Sequence, residues 1–243
     1  MYNLSEKILL VIPCYNEARR LDLARFKSMD QDCHFVFVDD GSTDSTFEFI
    51  QNNLSENMHV IRNAENMGKA EAIRHGMMAL KDLSCFKDIK WVGYWDADLS
   101  TPLTEVRYFL SYYNMFDDRD ITAIWGSRVF KLGSKIKRSL LRHLTGRMFA
   151  TLIRIVLRVN SYDTQCGAKL FKKELIDIVF KEPFVSRWIF DVELLMRLHS
   201  YKIIEYPVTE WIDVKGSKIN LISPFFIFGT LFEIFKIRLK YMK

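Results

Sequence analysis

The chain has 243 residues, 49% of them hydrophobic, and a formal net charge of +5. That length fits one domain with or without a short appendage, and the apolar fraction supplies a sizeable core, which excludes an intrinsically disordered chain. The basic excess is local. Lys131, Lys135, Lys137, Arg138, Arg142, Arg147, Arg154 and Arg158 fall in a stretch without Asp or Glu, a pattern that fits an anionic partner such as a lipid surface, a phosphate or a nucleic acid.

Residues 7–12 form an apolar run that predicts a buried strand, and residues 34–38 predict a second, ending at Asp39-Asp40-Gly41. Residues 43–54 read as a helix and 58–61 as a third strand. Residues 68–83 read as a helix with Ala72, Ile73, Gly76, Met77 and Leu80 along one side. Residues 91–95 are a strand that delivers Asp96-Ala97-Asp98, after which Thr101-Pro102 predicts a helix start, Thr as N-cap and Pro at the first position. Residues 121–125 are a fifth strand, ending at Gly126-Ser127-Arg128. Alternating strands and helices predict a mainly parallel sheet with helices on both faces, which binds ligands at the carboxyl ends of its strands. Asp39, Asp40, Asp96, Asp98 and Arg128 all fall at such ends, on three different strands. Two carboxylates two residues apart suit a hard cation that shares its oxygen ligands with a substrate diphosphate.

The second half differs. Residues 136–144 and 147–159 read as two helices separated by Thr145-Gly146. In the second, Arg147, Arg154 and Arg158 form one stripe, and Met148, Leu152, Ile155 and Val159 face away from it. Such a helix either lies on a membrane surface or turns its Arg side to water. Ser223-Pro224 starts a last helix with Phe225, Phe226, Ile227, Phe228, Leu231, Phe232, Ile234 and Phe235, followed by Lys236, Arg238, Lys240 and Lys243. It reads as interfacial, or as a helix packed in the core or in an oligomer. The organisation expected is a catalytic unit over residues 1–220, with acceptor- or membrane-facing helices at about 135–160, and a C-terminal amphipathic helix over 221–243. No run of about 18 apolar residues marks a membrane span. The polar residues 1–6 predict no signal peptide. Cys14, Cys33, Cys85 and Cys166 have neither disulfide nor metal spacing and read as the reduced thiols of a cytosolic protein.

Val11-Ile12-Pro13-Cys14-Tyr15-Asn16-Glu17, Val38-Asp39-Asp40-Gly41-Ser42, Asn66-Met67-Gly68-Lys69-Ala70 and Asp96-Ala97-Asp98 resemble, in order and spacing, the motifs of family 2 glycosyltransferases of the GT-A fold. The match runs through residues 7–128. Asp163-Thr164-Gln165-Cys166-Gly167-Ala168-Lys169-Leu170-Phe171, Arg187-Trp188-Ile189-Phe190-Asp191-Val192-Glu193, and Trp211 with Gly216-Ser217-Lys218 resemble the dolichyl-phosphate β-glucosyltransferase group and its prokaryotic relatives. The resemblance then extends to about residue 220. It implies an α/β, GT-A type fold with a mainly parallel, Rossmann-like sheet. It also implies inverting transfer of a hexose, glucose from UDP-glucose, to a polyprenyl or dolichyl phosphate, with a divalent cation, Mg²⁺ or Mn²⁺. The expected setting is the cytoplasmic, inner face of the cytoplasmic membrane, with a membrane-surface partner and no nucleic acid.

By the same resemblance Pro13, Tyr15 and Glu17 line the base and ribose, and Asp39 or Asp40 accepts hydrogen bonds from one of them. Lys69, just after Gly68 at a helix start, suits a phosphate. Asp98 is expected as direct metal ligand, with Asp96 on the ribose, the metal or its water, and Ala97 between them at the donor. The resemblance places Arg128 and Lys218 against the diphosphate. Related mannosyl enzymes carry an Arg a few residues before that Lys, where this chain has Ile212-Asp213-Val214-Lys215, and often a Gln where it has Ser100. Arg138, Arg142 and Arg147 are candidates for the acceptor phosphate or the membrane. Asp98, Arg128 and Asp191 form the expected catalytic set. Asp191 sits near the apolar side of its predicted helix, where a carboxylate needs a partner or a function. Glycosyltransferases with hydroxyl acceptors use an acid here as general base. A phosphate acceptor needs none, and Asp191 would then orient a neighbour such as Arg187. The alternatives carried forward are transfer to a hydroxyl of a cell-surface glycan with Asp191 as base, and non-catalytic nucleotide-sugar binding.

Overall fold

The computed structural model describes residues 7–29, 32–118, 120–137, 140–213 and 224–242, except for the side chains of 140–143 and 224–227. In chain order its elements are β1 (Lys7–Cys14), α1 (Leu23–Lys27), β2 (Cys33–Asp39), α2 (Thr46–Gln51), β3 (Met58–Arg62), α3 (Lys69–Ala79), β4 (Ile89–Trp95), α4 (Glu105–Asn114) and β5 (Ile121–Ser127). There follow β6 (Lys135–Lys137), α5 (Leu140–Leu157), β7 (Ala168–Lys172), α6 (Ile176–Phe180), α7 (Phe190–Arg197), β8 (Lys202–Pro207), β9 (Glu210–Ile212) and α8 (Pro224–Tyr241). Seven strands form one sheet in the order β3-β2-β1-β4-β7-β5-β8. All neighbours are parallel except β7, which runs antiparallel between β4 and β5.

The central strands are continuous apolar runs because both sheet faces are covered. Phe26 of α1 and Val106 and Phe109 of α4 pack on one face. Ile73 and Met77 of α3, Val179 of α6 and Leu194 of α7 pack on the other. The parallel sheet with two covered faces is the one expected.

Three local expectations are corrected. The helix expected at Thr101-Pro102 begins at Glu105. Thr101 is buried instead, its carbonyl accepting the Trp95 indole N–H at 2.7 Å. The two helices expected over 136–159 are a short strand, β6, paired with β9, and a single helix, α5, that runs through Thr145-Gly146. One glycine costs a helix only about 1 kcal/mol, which tertiary packing overrides. The outward face of α5 also differs. Among its described side chains Ile153 and Leu157 are the buried ones, packed with Ile189, Val192 and the α8 residues Ile234 and Ile237. Met148 and Ile155 point outward with Leu144.

The last helix, α8, packs on α5 and α7, and the boundary drawn at 220/221 falls outside the described residues. Among the described residues no helix is long and apolar enough to cross a membrane. The polar anchor of α8 is the fully buried Glu193 of α7. It accepts from the Val185 N–H at 2.7 Å, the Tyr241 hydroxyl at 2.7 Å, Arg197 at 2.9 Å and Lys240 at 3.1 Å. Burial alone would raise the Glu193 carboxyl, but the Tyr241 hydroxyl and the Arg197 guanidinium outweigh it and hold the group below its ordinary value of 4.5. Because the native value is depressed, this stabilisation is complete above the unfolded value and is lost as pH falls through the native one. Glu193→Ala, which strands a buried Arg197, should cost about 3–5 kcal/mol in denaturant unfolding at neutral pH. The wild-type advantage over that variant should shrink as the pH is taken below 4.5.

Candidate active site

At the carboxyl ends of β1, β2, β4 and β5 lies a cavity of about 520 Å³, open on one side. Its first wall is two interlocked loops. Asn16, in the left-handed region at φ 53°, donates its N–H to Ser42 Oγ at 2.9 Å and accepts from the Thr43 N–H at 2.9 Å. The Glu17 N–H donates to Thr46 Oγ1 at 2.8 Å. Pro13, Tyr15 and Glu17 reach the cavity as expected. Arg20, also in the wall, forks both oxygens of Glu17.

The structure separates the two β2 carboxylates. Asp39 is fully buried, accepting from the Ser42 N–H at 3.3 Å and pairing with Arg62 at 3.1 Å, and is not among the residues lining the cavity. Asp40 does line the cavity, but its oxygens already accept from Asn63 Nδ2 at 2.8 Å, the Met67 N–H at 3.0 Å and the Gly68 N–H at 2.8 Å. Asp40 therefore shapes the loop that begins α3. From the first residue of α3, Lys69 reaches Asp96 Oδ1 at 2.5 Å. Burial would lower the Lys69 ammonium, but Asp96, Asp191 and Asp98 outweigh it and raise it.

Asp96, Ala97 and Asp98 line the cavity at the end of β4. The turn is tight: Leu99 sits at φ 51°, and Asp98 Oδ1 accepts the Ser100 N–H at 2.9 Å. Burial and the Asp96 charge push the Asp98 carboxyl up. Gly167 is pressed against Asp96, whose N–H donates to the Gly167 carbonyl at 3.0 Å. A Cβ on Gly167 would lie 1.9 Å from Asp96 Oδ2. Paired carboxylates at a strand end match the oxygen donors that Mg²⁺ and Mn²⁺ prefer. Among the described residues no cluster of three or more His, Cys, Asp or Glu could hold a metal, so such a cation would complete its shell with substrate or water oxygens.

The opposite wall is basic. Arg128, after β5, is fixed by Asp163: the guanidinium Nε and NH2 donate at 2.6 and 2.8 Å, and the backbone N–H at 3.0 Å. It also lies over Trp211, 5.3 Å from the ring centre. Glu205 holds the Asp163 loop, accepting from the Tyr162 N–H at 2.8 Å and the Asp163 N–H at 3.2 Å. Arg147 of α5 donates to the Tyr162 carbonyl at 2.8 Å and stacks on that ring at 4.0 Å. Beyond Arg147 the wall turns apolar, with Phe149, Ala150 and Ile153 of α5, Trp188 and Ile189, and it reaches Thr230 of α8. Arg138, Lys218 and the side chain of Arg142 lie outside the described residues.

Asp191 lines the cavity, though not beside Arg187 as expected. Its Oδ1 accepts from Lys169 Nζ at 2.5 Å and from the Tyr94 hydroxyl. Arg187 instead donates to the carbonyls of Met67 and Asn66, each at 3.2 Å. Reading the sequence missed Arg20, Asp163 and Lys169. Asp163 and Lys169 sit inside a motif singled out for its likeness, and a Lys within the apolar run of β7 was the local sign of a buried partner.

The model of glycosyl transferase family 2 matches residues 9–180. The chain belongs to that family. It is 31% identical over 244 residues to the dolichyl-phosphate β-glucosyltransferase of Saccharomyces cerevisiae, covering 89% of this chain and 70% of the relative. To the enzyme of that name from Dictyostelium discoideum it is 27% identical over 251 residues, covering 96% and 74%. Among solved structures, glucosyl-3-phosphoglycerate synthase from Mycobacterium tuberculosis, in complex with Mn²⁺, UDP and glucosyl-3-phosphoglycerate, superposes with a TM-score of 0.61. The identity is 16%, covering 98% of this chain and 80% of that one. The glycosyltransferase thus has a GT-A type fold. Displacing Asp96 in it should be costly. Gly167→Ala should lower sugar transfer by about 100-fold, whereas Gly229→Ala, whose added Cβ meets nothing within 4 Å, should leave the rate unchanged.

Proposed function

We propose that this glycosyltransferase moves glucose from UDP-glucose to a polyprenyl phosphate at a membrane surface, with inversion at the anomeric carbon. The observation that carries the reading is the pairing of the cavity's acids. Glu17 is held by Arg20, Asp96 by Lys69, Asp163 by Arg128 and Asp191 by Lys169. Asp40 and Asp98 make no ion pair among the described residues, but Asp40 is satisfied by Asn63 and two backbone N–H groups, whereas Asp98 bonds only Ser100. A half-buried carboxylate that bonds one residue, next to a second carboxylate, suits a cation. Asp98, with Asp96 beside it, is thus the pair that would hold Mg²⁺ or Mn²⁺. Bound there, the ion would supply charge neutralisation for the departing UDP.

This chain's own groups do the rest. Pro13, Tyr15 and Glu17 enclose the nucleoside, and Lys69 with the start of α3 faces the diphosphate. Arg128, its fork set by Asp163, and Arg147 present guanidinium groups to phosphate oxygens, a geometry suited to bidentate binding. An acceptor phosphate is an anionic nucleophile at neutral pH, so no base is required; positioning and charge provide the rate. The apolar stretch of the wall between α5 and α8 fits a lipid carried by that phosphate better than it fits a glycan.

The test is a screen of UDP- and GDP-sugars, with Mg²⁺ or Mn²⁺, for transfer to a polyprenyl phosphate. Transfer from UDP-glucose, abolished by chelation, is expected; no transfer from any donor overturns the reading. Membrane binding rests on a second surface. Leu144, Met148 and Ile155 of α5 and Phe228, Phe232, Phe235 and Leu239 of α8 are exposed, spaced three, four or seven residues apart on each helix and accompanied by Arg154, Arg158 and Lys236. Such helices bind the lipid interface without spanning it. Phe232→Ser with Phe235→Ser should abolish flotation with anionic liposomes while leaving thermal unfolding unchanged. Retained flotation would reject this surface.

A further inference from the structure

The buried trio of Tyr94, Lys169 and Asp191 lies outside the steps assigned above. Lys169 is fully buried, and its ammonium donates to Asp191 Oδ1 at 2.5 Å and to the Cys166 carbonyl at 2.5 Å. It also lies 4.9 Å from the centre of the Trp125 ring and 5.2 Å from that of Tyr94. Enclosed this way, Lys169 cannot touch a substrate; it holds Asp191. A buried ion pair brings little net stability, since desolvation offsets the attraction. What the trio achieves is orientation. With Oδ1 taken by two donors, Oδ2 of Asp191 has no hydrogen-bond partner among the described residues, on a side chain that is 94% buried and lines the cavity. Its neighbours are the donor-side groups. Asp191 acts on the same Lys69 ammonium that pairs with Asp96, and Gly167, against Asp96, adjoins the Cys166 carbonyl that Lys169 uses. The group that hangs from a diphosphate held there is the sugar.

We propose that Asp191 is a sugar-recognition residue: Oδ2 accepts a hydrogen bond from one hydroxyl of the transferred hexose, and Lys169 and Tyr94 are positioning residues that aim it. The inference rests on the glycosyl-transfer reading and adds the basis of donor selectivity. An ionised carboxylate only accepts hydrogen bonds, so it selects for a hydroxyl at one ring position. A site built to bond a hydroxyl rejects the analogue lacking it far more strongly than an apolar pocket rejects a size change.

The experiment compares kcat/KM for UDP-glucose and its 3-, 4- and 6-deoxy analogues in the wild type, Asp191→Asn, Asp191→Glu and Lys169→Met. In the wild type, loss of one particular hydroxyl should lower kcat/KM by more than about 30-fold, the others by much less. In Asp191→Asn that same loss should cost less than about threefold, the non-additivity of a direct contact. Lys169→Met should weaken discrimination at that position and no other. Calorimetric binding of UDP-glucose and the deoxy analogues, measured against UDP, reads the same cycle in a variant too slow to assay, and Asp191→Glu serves where Asp191→Asn does not fold. Additive effects, with every donor losing the same factor in Asp191→Asn, overturn the proposal. So does a variant whose loss disappears at high pH with discrimination intact, the mark of a general base. If the wild type transfers from no donor, the functional reading fails instead, and the binding cycle still decides whether Asp191 sees the sugar.

Discussion

The constraint on which the site depends is charge matching among partly buried groups in one cavity. Acids from five segments of chain converge where parallel strands end, and like charges at such distances cannot persist without counter-charges. The chain answers each locally: a fork from Arg20 for Glu17, an ammonium for Asp96, a fork from Arg128 for Asp163, a buried Lys169 for Asp191, and backbone N–H groups for Asp40. These pairs do more than neutralise. Asp163 sets the plane of Arg128, Asp40 sets the course of the 66–68 loop, and Lys169 sets which oxygen of Asp191 remains open. Asp98 is left with Ser100 alone.

The C-terminal helix belongs to the same arrangement. Ser186, fully buried, accepts from the N–H groups of Trp188 and Ile189 at 3.1 and 2.7 Å, and its hydroxyl donates to Glu233 of α8 at 2.6 Å. The segment so held carries Trp188 into the apolar wall, carries Arg187 to the carbonyls of the 66–68 loop, and leads into α7 with Asp191. The helix with an exposed row of phenylalanines is therefore tied by one hydroxyl to both the 66–68 loop and the apolar wall. The exposed row and the cavity share one framework.

What the sequence made legible was local. Pro13 to Glu17, the Asp39-Asp40 turn and Asp96-Ala97-Asp98 could be placed at strand ends because strand, turn and motif lie within a few residues of each other. Partners far apart in the chain were not legible. Asp163 lies 35 residues from Arg128, and Lys169 lies 22 from Asp191. Arg187, four residues from Asp191 on what looked like one helical turn, was the obvious local partner, yet it precedes α7 and bonds elsewhere. The outward face of α5 was misread for a related reason. The helix is apolar on two sides, and only the docking of α8 on Ile153 and Leu157 decides which side is inside. The antiparallel β7, slotted between β4 and β5, is likewise a non-local choice, and it is the strand that brings Lys169 to the site.

Three described non-glycine residues lie in the left-handed region, Asn16, Leu99 and Arg158, and the first two store strain at the site: Asn16 in the first loop and Leu99 in the Asp-x-Asp turn. Each such residue costs on the order of 1–3 kcal/mol and persists only when its surroundings fix it. Asn16 is fixed by Ser42 and Thr43 of the neighbouring loop. Leu99 is fixed by its own burial and by the Asp98–Ser100 turn, with the Leu99 N–H donating to the Asp96 carbonyl at 3.1 Å. In both places the strain turns the chain sharply at a strand end, which brings Tyr15 and Glu17, and Asp96 and Asp98, to the same cavity. The bonds that hold these turns are protein–protein bonds, present before any ligand arrives. Binding then need not bend the loops into place, and the interaction energy of a donor substrate is free to act on the departing bond.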